Sequence, residues 1–298
     1  MDFSIIVPTF NRPDHLRACL HALGQLDYAP DRFEIIVVDD GGRVDLTQLE
    51  TPPALRQRLR WIRQSNKGPA AARNQGALEA CGRWLAFTDD DCRPDRHWLA
   101  ALADALAGGE HLLVGGHTRN RLRENTFSEV SQLITDAAYA YFNRDGSQAR
   151  FLASNNMAVW REAFLAIGGF DETFRPASED RELCDRWLWL GRRILWVDGA
   201  DVEHGNALTL SGFLRQHFSY GRGAFLFHRR RRLRGSGLLH QDLGFYASAR
   251  SLLVKPALAS ARPWATLGLL AAWQVANTLG FFSELFRSFP VPGSNQRC

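Results

Sequence analysis

The chain has 298 residues, of which 45% are hydrophobic and 23% charged, a globular composition long enough for one large or two modest domains. Its five cysteines are odd in number and include no CxxC pair, which argues against a disulfide framework or a thiolate metal site and predicts reduced thiols. The net charge of +4 is uneven: residues 205–298 carry twelve Lys and Arg against two acids, a net +10, whereas residues 1–204 carry 24 against 30, a net −6.

The chain opens without the features of a secretory signal. The apolar run in MDFSIIVPTF stops at Pro8 and no basic segment precedes it, whereas a signal peptide has a charged start and a longer apolar region. We therefore expect the N-terminal part of the protein to be cytoplasmic.

The N-terminal half alternates short strand-like runs with helical patterns, which predicts an α/β domain around a mainly parallel sheet. The expected strands are FSIIV, FEIIVV, LRWIRQ, WLAFT and HLLVGG. Helices are expected after the first, third and fourth strands, the second of them at AARNQGALEAC. The apolar residues at helical spacing are Leu16, Leu20, Leu23 and Leu26 in the first helix and Trp98, Leu102 and Leu106 in the third.

Distinctive residues follow each of the first four predicted strands. In open parallel sheets, ligands bind at the carboxyl ends of the strands, so we expect these four ends to converge on one site. The residues, in strand order, are Pro8, Thr9 and Asn11, then Asp39 and Asp40, then Asn66 and Gly68, and finally Asp89, Asp90 and Asp91.

The three consecutive aspartates Asp89, Asp90 and Asp91 repel one another, and burying them without a cation would cost several kcal/mol. Carboxylate oxygens suit Mg²⁺ or Mn²⁺, and such an ion in turn binds diphosphate oxygens. The cluster therefore predicts a divalent metal site. An exposed acidic turn without function is the alternative.

A second acidic group begins the segment SEDRELCDRW. Ser178 suits an N-cap, and Glu179 and Asp180 fall in the first turn, where the helix dipole favours anions. Acids at this position often only stabilise the helix, so catalysis and stabilisation both remain open from the pattern alone.

Two further segments contribute candidates. Residues 125–150 form a polar, helical pattern that we expect to cross the mouth of the site. Asn155 and Asn156 can hydrogen-bond hydroxyl groups of a ligand, although paired asparagines are also common in turns. The segment RILWVDGADVEHG is expected to be a strand that closes the domain and brings His204 to its end; a lone histidine is more often a surface or packed residue.

The C-terminal part combines basic and apolar segments. The run HRRRRLR at residues 228–234 precedes twenty residues, 264–283, that lack an ionisable side chain and are long enough to span a membrane. Gln274, Asn277 and Thr278 form a polar stripe, so this helix can also lie in the interface or pack on another copy. The arginines favour an anionic membrane surface as partner; a solvated basic surface is the alternative, and no aromatic pattern supports nucleic-acid binding.

Five segments resemble, in order and spacing, the motifs of the family 2 glycosyltransferases: VPTFNR, VVDDGG, NKGPAAARNQG, FTDDDCRP and SEDRELCDRW, over about residues 3–205. The resemblance implies a GT-A (Rossmann-like) nucleotide-sugar-binding domain, which we place at residues 1–225. The helical tail at residues 226–298 is expected, from its basic and apolar segments, to associate with the inner face of the cell membrane. The resemblance further implies transfer of a sugar, of hexosyltransferase type and with inversion, from a nucleotide-diphosphate-sugar donor to a saccharide or lipid-linked acceptor in cell-surface polysaccharide or glycoconjugate biosynthesis.

Carried over residue by residue, the resemblance also implies a donor site. Asp40 would contact the base, with Asp39 as second candidate, while Asp89 would contact the ribose, Asp90 would share the role of either neighbour, and Asp91 would bind Mn²⁺ or Mg²⁺. The full implied donor set is Pro8, Thr9, Asn11, Asp39, Asp40, Asn66, Gly68, Arg73, Asp89 and Asp90.

On the acceptor side, the resemblance implies that Asp180 is the catalytic base and that Glu179 contacts the acceptor. We also expect Asn155 and Asn156 to bind the acceptor through its sugar hydroxyls. His204 resembles the histidine that completes the metal site in several members, and RQHFSYGRG resembles a segment in which Arg222 would contact the diphosphate. Residues 57–61 read QRLRW, but no QxxRW motif of the kind found in processive synthases follows SEDRELCDRW, which favours single additions.

Two other functions fit parts of the pattern. A sugar-nucleotide nucleotidyltransferase also uses acidic metal ligands on an α/β sheet, but VPTFNRPDHL lacks its glycine-rich, arginine-bearing loop. A non-catalytic nucleotide-sugar-binding membrane protein would keep Asp40 and Asp89 but would need neither Glu179 nor Asp180.

Overall fold

The computed structural model describes residues 1–238, 243–248 and 250–288. Within them, ten strands form two sheets. The strands are β1 (Phe3–Thr9), β2 (Phe33–Asp39), β3 (Leu59–Arg63), β4 (Trp84–Phe87), β5 (Cys92–Pro94), β6 (Leu112–Gly115), β7 (Thr118–Asn120), β8 (Met157–Trp160), β9 (Arg193–Trp196) and β10 (Val202–His204).

The large sheet has the strand order β3-β2-β1-β4-β8-β6-β9 and is mainly parallel, because only β8 runs against its neighbours. All residues of β1 and β2 are buried, as expected for the continuous apolar runs of strands covered on both faces. Their register pairs Phe3 with Phe33 and Thr9 with Asp39, so the two strands end side by side. The predicted mainly parallel α/β sheet and its five strands are confirmed.

Ten α-helices lie within the described residues. They are α1 (Pro13–Leu23), α2 (Pro69–Glu79), α3 (Trp98–Leu106), α4 (Thr126–Phe142), α5 (Arg161–Ala166), α6 (Glu179–Trp189), α7 (Leu210–Arg234), α8 (Leu243–Ala247), α9 (Lys255–Ala259) and α10 (Pro263–Arg287).

Two apolar cores lie on opposite sides of the sheet. One packs α1 and α3 against alternate residues of β1, such as Ile5, and the other packs α2, α5 and α6 against residues such as Ile6. The three helices expected between the first strands are confirmed, but α1 ends at Leu23, so Leu26 lies beyond it.

Three local expectations differ from the structure. The segment RILWVDGADVEHG forms β9 and β10 in different sheets, because the chain turns at Gly199, whose φ is 85°. Ser178 precedes α6 in the left-handed region, with φ of 76°, and its side chain makes no capping bond. The division expected between residues 225 and 226 falls inside the continuous helix α7 and stays a prediction.

The described C-terminal helices pack on the sheet domain rather than extending from it. Helices α7 and α10 cross so closely that a Cβ at Gly221 would lie 1.9 Å from the carbonyl oxygen of Asn277. A third core joins α4, α7 and α10 through residues such as Val130, Phe213 and Trp273. Helix α10 is long and apolar enough to cross a membrane, with a mean hydropathy of 1.2 over its most apolar window and 28% of that window buried.

The basic run is largely paired within the protein. Arg230 contacts Asp171, and Arg231 contacts Asp185. Arg234 pairs with both Asp185 and Glu182, so three of the five arginines join α7 to α6 and the loop before it. Arg229 and Arg232 are exposed, and the expected contact of this run with an anionic membrane surface stays a prediction.

The described cysteines, Cys19, Cys81, Cys92 and Cys184, are free thiols, as predicted. Cys298 lies outside the described residues.

Candidate active site

A cavity of about 1020 Å³ opens where β1 to β4 end, and helices α4, α7 and α10 form its outer wall. The predicted convergence of strand ends is therefore found. The expected site residues that line it are Pro8, Thr9, Asp40, Asn66, Gly68, Arg73, Asp89, Asp90, Asp91, Asn155, Glu179, Asp180 and His204.

Asp40 is fixed beside the loop that follows β3. One of its oxygens accepts hydrogen bonds from Gln64 Nε2 at 2.7 Å and the Lys67 backbone N–H at 2.8 Å, and the other accepts from the Gly68 N–H at 2.8 Å. Gly68 has φ of 95°, a left-handed conformation that strains other residues. The Asp40 carboxylate is thus held rigidly at the cavity wall.

Arg12 holds two members of the acidic cluster. Its guanidinium donates to Asp90 Oδ1 at 2.9 Å and to Asp91 Oδ2 at 2.7 Å, while Thr9 donates to the second oxygen of Asp90 at 2.7 Å. Burial raises the pKa of Asp90 to about 7 although Arg12 and Thr9 oppose this shift. Asp90 and Asp91 are buried and Asp89 is partly buried, so the cluster is not the exposed acidic turn that the sequence also allowed.

Asp91 and His204 come together because β5, which follows the cluster, pairs with β10. His204 lies opposite Cys92 in this pairing, and its Nε2 is 3.2 Å from Asp91 Oδ1. Burial alone would raise the pKa of Asp91, but His204 and Arg12 outweigh it and hold that pKa well below its usual range.

A divalent ion fits this corner of the cavity. Asp91, Cys92 and His204 have ligand atoms within 4.8 Å of one another, and the aspartate and histidine both line the cavity. Carboxylate oxygen and imidazole nitrogen suit Mn²⁺. Cys92 is fully buried and, unlike Asp91 and His204, is not among the residues that line the cavity. The fitting pair is therefore Asp91 and His204.

Arg73 joins the donor end of the cavity to the acidic segment of α6. Its guanidinium donates to Asp89 Oδ1 at 2.6 Å and to Glu179 Oε1 at 2.9 Å, with only 3% of the side chain exposed. Burial would lower its pKa, but the two carboxylates outweigh that effect and raise it. Arg73 thus stays charged and fixes both acids.

Asp180 lies beside this pair and faces the cavity. Its carboxylate accepts hydrogen bonds from the backbone N–H groups of Arg181 at 2.7 Å and Ser154 at 3.3 Å. Burial, followed by the charge of Glu179, raises the pKa of Asp180 to about 7. A carboxylate with such a pKa can take up a proton near neutral pH.

The sequence profile described as "Glycosyl transferase family 2" matches residues 4–168, more than half of the chain. The chain belongs to glycosyl transferase family 2. The family resemblance expected from the five motifs is confirmed.

Curated relatives of this family 2 member include the glycosyltransferase AglE of Haloferax volcanii, 31% identical over 38% of this chain and 38% of that protein. The pre-mycofactocin glycosyltransferase of Mycobacterium tuberculosis is 27% identical over 75% of this chain and 47% of its own length. The chain thus spans less than half the length of these relatives.

Among solved structures, the mannosyltransferase PcManGT from Pyrobaculum calidifontis, in complex with GDP-Man and Mn²⁺, matches with a TM-score of 0.68. The match covers 96% of this chain and 88% of that one at 19% identity. At this identity the likeness establishes the fold alone, and it agrees with the GT-A fold expected for a family 2 glycosyltransferase.

Four expected site residues of this family 2 member do not line the cavity. Asp39 accepts from the Gly42 N–H at 2.7 Å, and Asn11 accepts from the Arg43 N–H at 2.7 Å, so both side chains organise the loop after β2. Arg222 donates to Glu284 on α10 at 2.7 Å instead of facing a diphosphate. The roles in donor binding expected for these three residues stay predictions.

Asn156 is the fourth expected site residue that does not line the cavity, whereas its neighbour Asn155 does. Asn156 is fully buried, accepts from Trp98 Nε1 at 2.9 Å and donates to the carbonyl oxygens of His117 and Ala200. Its amide is therefore used inside the protein and cannot contact an acceptor in this conformation. Asn155 does reach the cavity, where its Oδ1 accepts from Thr118 at 3.0 Å.

The sequence did not identify two parts of the site. Arg12 lies within VPTFNR, but only its spatial position beside Asp90 and Asp91 reveals its role. The polar stripe Gln274, Asn277 and Thr278 of α10 lines the cavity. Its polarity in an otherwise apolar helix was a visible signal, but the face it packs against was not.

Proposed function

We propose that this protein is an inverting, metal-dependent glycosyltransferase that uses a nucleotide-diphosphate-sugar donor. The observation that carries the proposal is that one cavity holds Asp40 and Asp89, the Asp91–His204 pair and Asp180. Donor binding, metal binding and proton removal each have a suited group there. Family membership supports the reaction class.

Asp40 and Asp89 are proposed to bind the nucleoside. A carboxylate offers about four lone-pair sites. Hydrogen bonds from three protein N–H groups occupy three of the lone-pair sites of Asp40. The fourth site lies on the oxygen that accepts from Gly68, and it can accept a hydrogen bond from an N–H of the base. Arg73 holds Asp89 from one side, and 29% of the Asp89 side chain stays exposed for a ribose hydroxyl. Pro8, Thr9 and Asn66 would complete this wall.

Asp91 and His204 are proposed to hold Mn²⁺ or Mg²⁺. The ion, when bound, supplies a Lewis acid for the departing diphosphate. Asp91 is suited to this role because its pKa is held low, so it stays ionised throughout the physiological pH range.

Asp180 is proposed to be the base. It removes the proton of the acceptor hydroxyl while that oxygen bonds to the anomeric carbon, and the bond from this carbon to the diphosphate breaks on the opposite side. The configuration at the anomeric carbon is thereby inverted, and the nucleoside diphosphate leaves. Glu179 and Asn155 would orient the acceptor, although Glu179 is already held by Arg73.

The acceptor is proposed to be lipid-linked and to be used at a membrane surface. The outer cavity is lined by apolar side chains of α4 and α10, including Ile134, Phe142, Phe281 and Phe282. Phe282 is also 47% exposed and belongs to an apolar stripe along α10. The stripe contains Trp264, Val275, Leu279, Phe282 and Phe286. The apolar part of the cavity lining and the exposed apolar stripe thus share Phe282, which favours a lipid-linked acceptor over a free saccharide.

A screen of nucleotide sugars by thermal unfolding tests the donor assignment. With Mn²⁺ present, we expect one donor class to raise the melting temperature, because a ligand that binds only the folded state stabilises it. Asp91→Ala should remove the Mn²⁺-dependent part of this shift, and Arg17→Ala on the exposed face of α1 should retain it. Equal shifts in Asp91→Ala and wild type would show that the metal binds elsewhere.

A further inference from the structure

The guanidinium of Arg12 donates a hydrogen bond to one carboxylate oxygen of Asp91, the proposed metal ligand. Its two terminal nitrogens contact different aspartates, Asp90 at 2.9 Å and Asp91 at 2.7 Å. The other oxygen of Asp91 lies 3.2 Å from His204. Both oxygens of Asp91 therefore have cationic or polar partners from the protein, and one of these partners is a permanent cation.

Arg12 differs from the second arginine of the cluster in its freedom to move. Arg73 is 3% exposed and lies between two carboxylates, whereas 38% of the Arg12 side chain is exposed and it lines the cavity. Arg12 directly precedes α1, and its side chain caps no helix. Its guanidinium can turn toward the cavity without disturbing the packed core.

A guanidinium and a divalent ion cannot both be held closely by Asp91 without strong repulsion, because like charges at such separations repel by several kcal/mol even at an effective dielectric of about 20. A metal ion alone must therefore displace Arg12 from Asp91. The displaced guanidinium then needs another anion, and phosphate oxygens are matched to its fork of N–H donors.

We propose that Arg12 couples metal binding to diphosphate binding. Its guanidinium leaves Asp91 when a nucleoside diphosphate offers phosphate oxygens, and Asp91 then ligates the metal. Each ligand consequently binds more tightly in the presence of the other, by the same factor in both directions. Arg12 is a positioning residue in this scheme, which rests on the metal and donor sites proposed above.

Electron paramagnetic resonance of free Mn²⁺, with the full chain and with or without saturating UDP or GDP, tests the coupling. In wild type, the nucleotide should strengthen Mn²⁺ binding at least about tenfold, a typical coupling. In Arg12→Gln, Mn²⁺ alone should bind about tenfold more tightly than in wild type, and the nucleotide should strengthen Mn²⁺ binding by a smaller factor than in wild type, because only the direct contact between the ion and the diphosphate remains. Arg12→Lys keeps the positive charge but loses the paired N–H donors of the guanidinium. Its Mn²⁺ affinity and its coupling should lie between those of wild type and Arg12→Gln.

Arg17→Gln is the matched control, because it removes the same charge from an exposed position on α1 that pairs with Asp14. It should behave as wild type. Unchanged or weaker Mn²⁺ binding in a folded Arg12→Gln, or full coupling in that variant, would overturn the proposal.

Failure of the underlying function looks different. If neither UDP nor GDP bound to wild type, or if Asp91→Ala kept wild-type Mn²⁺ affinity, the donor or metal site itself would be misplaced and the coupling would fall with it. A wild type that binds both ligands independently would contradict the coupling alone.

Discussion

Replacing Arg73 by Met removes the charge between Asp89 and Glu179 while keeping most of the side-chain volume. The guanidinium is 3% exposed and contacts Glu179, whose side chain is only 9% exposed, at 2.9 Å. Removing one partner of a buried ion pair costs about 3–5 kcal/mol, because the other charge stays buried without compensation. We expect most of this loss to come from Glu179, since 29% of the Asp89 side chain is exposed.

Thermal and urea unfolding measure the effect. At about 2–4 °C per kcal/mol, the melting temperature should fall by roughly 6–20 °C. Adding Glu179→Gln to Arg73→Met should recover more than half of the loss, because the stranded carboxylate is gone. Arg17→Met, which breaks an exposed pair with Asp14, should change the free energy of unfolding by less than about 0.5 kcal/mol. A fall in Arg73→Met no larger than in Arg17→Met, or no recovery in the double variant, would refute the buried-pair argument.

The remaining predictions concern pH and the membrane. Burial and Glu179 raise the pKa of Asp180 to about 7, so below that pH the base is increasingly protonated, and the transfer rate at saturating donor should rise about tenfold per unit up to pH 7 and then level off. A rate independent of pH between 5 and 9 would contradict this. On the exposed stripe of α10, Leu279→Asp should weaken co-sedimentation with phosphatidylglycerol vesicles by about 100-fold, since burying a carboxylate in a bilayer costs about 2.5–3.5 kcal/mol. Ala29→Asp, at an exposed position of the sheet domain, is the control, and equal losses in both variants would argue against the stripe as the membrane contact.

The sheet and the donor end of the site were predictable because they depend on short-range patterns. Buried parallel strands give apolar runs, and ligands collect where such strands end. Asp40, Asp89 and Asp91 follow those runs directly, so their convergence followed from fold class alone. The pairing of β5 with β10, which brings His204 to Asp91, spans more than a hundred residues and was accessible only through the family resemblance.

Contacts between residues far apart in the sequence explain where the structure differs from the expectations drawn from the sequence. Nothing near Asn156 in the sequence indicates that Trp98 and two carbonyl oxygens use its amide. Likewise, nothing near the arginine run indicates that Arg234 pairs with Glu182 and Asp185, about fifty residues away. Charge runs predict surfaces, but packing decides which charges remain on them.

The role of Asp180 is tested most directly by transfer of radiolabelled sugar, from the donor found in the nucleotide-sugar screen, to lipid extracted from membranes. Asp180→Asn should keep wild-type donor affinity in calorimetry, because Asp180 is proposed to act on the acceptor. Its transfer rate should fall at least about 100-fold, the usual contribution of a general base. Transfer near the wild-type rate in this variant would contradict the proposed mechanism.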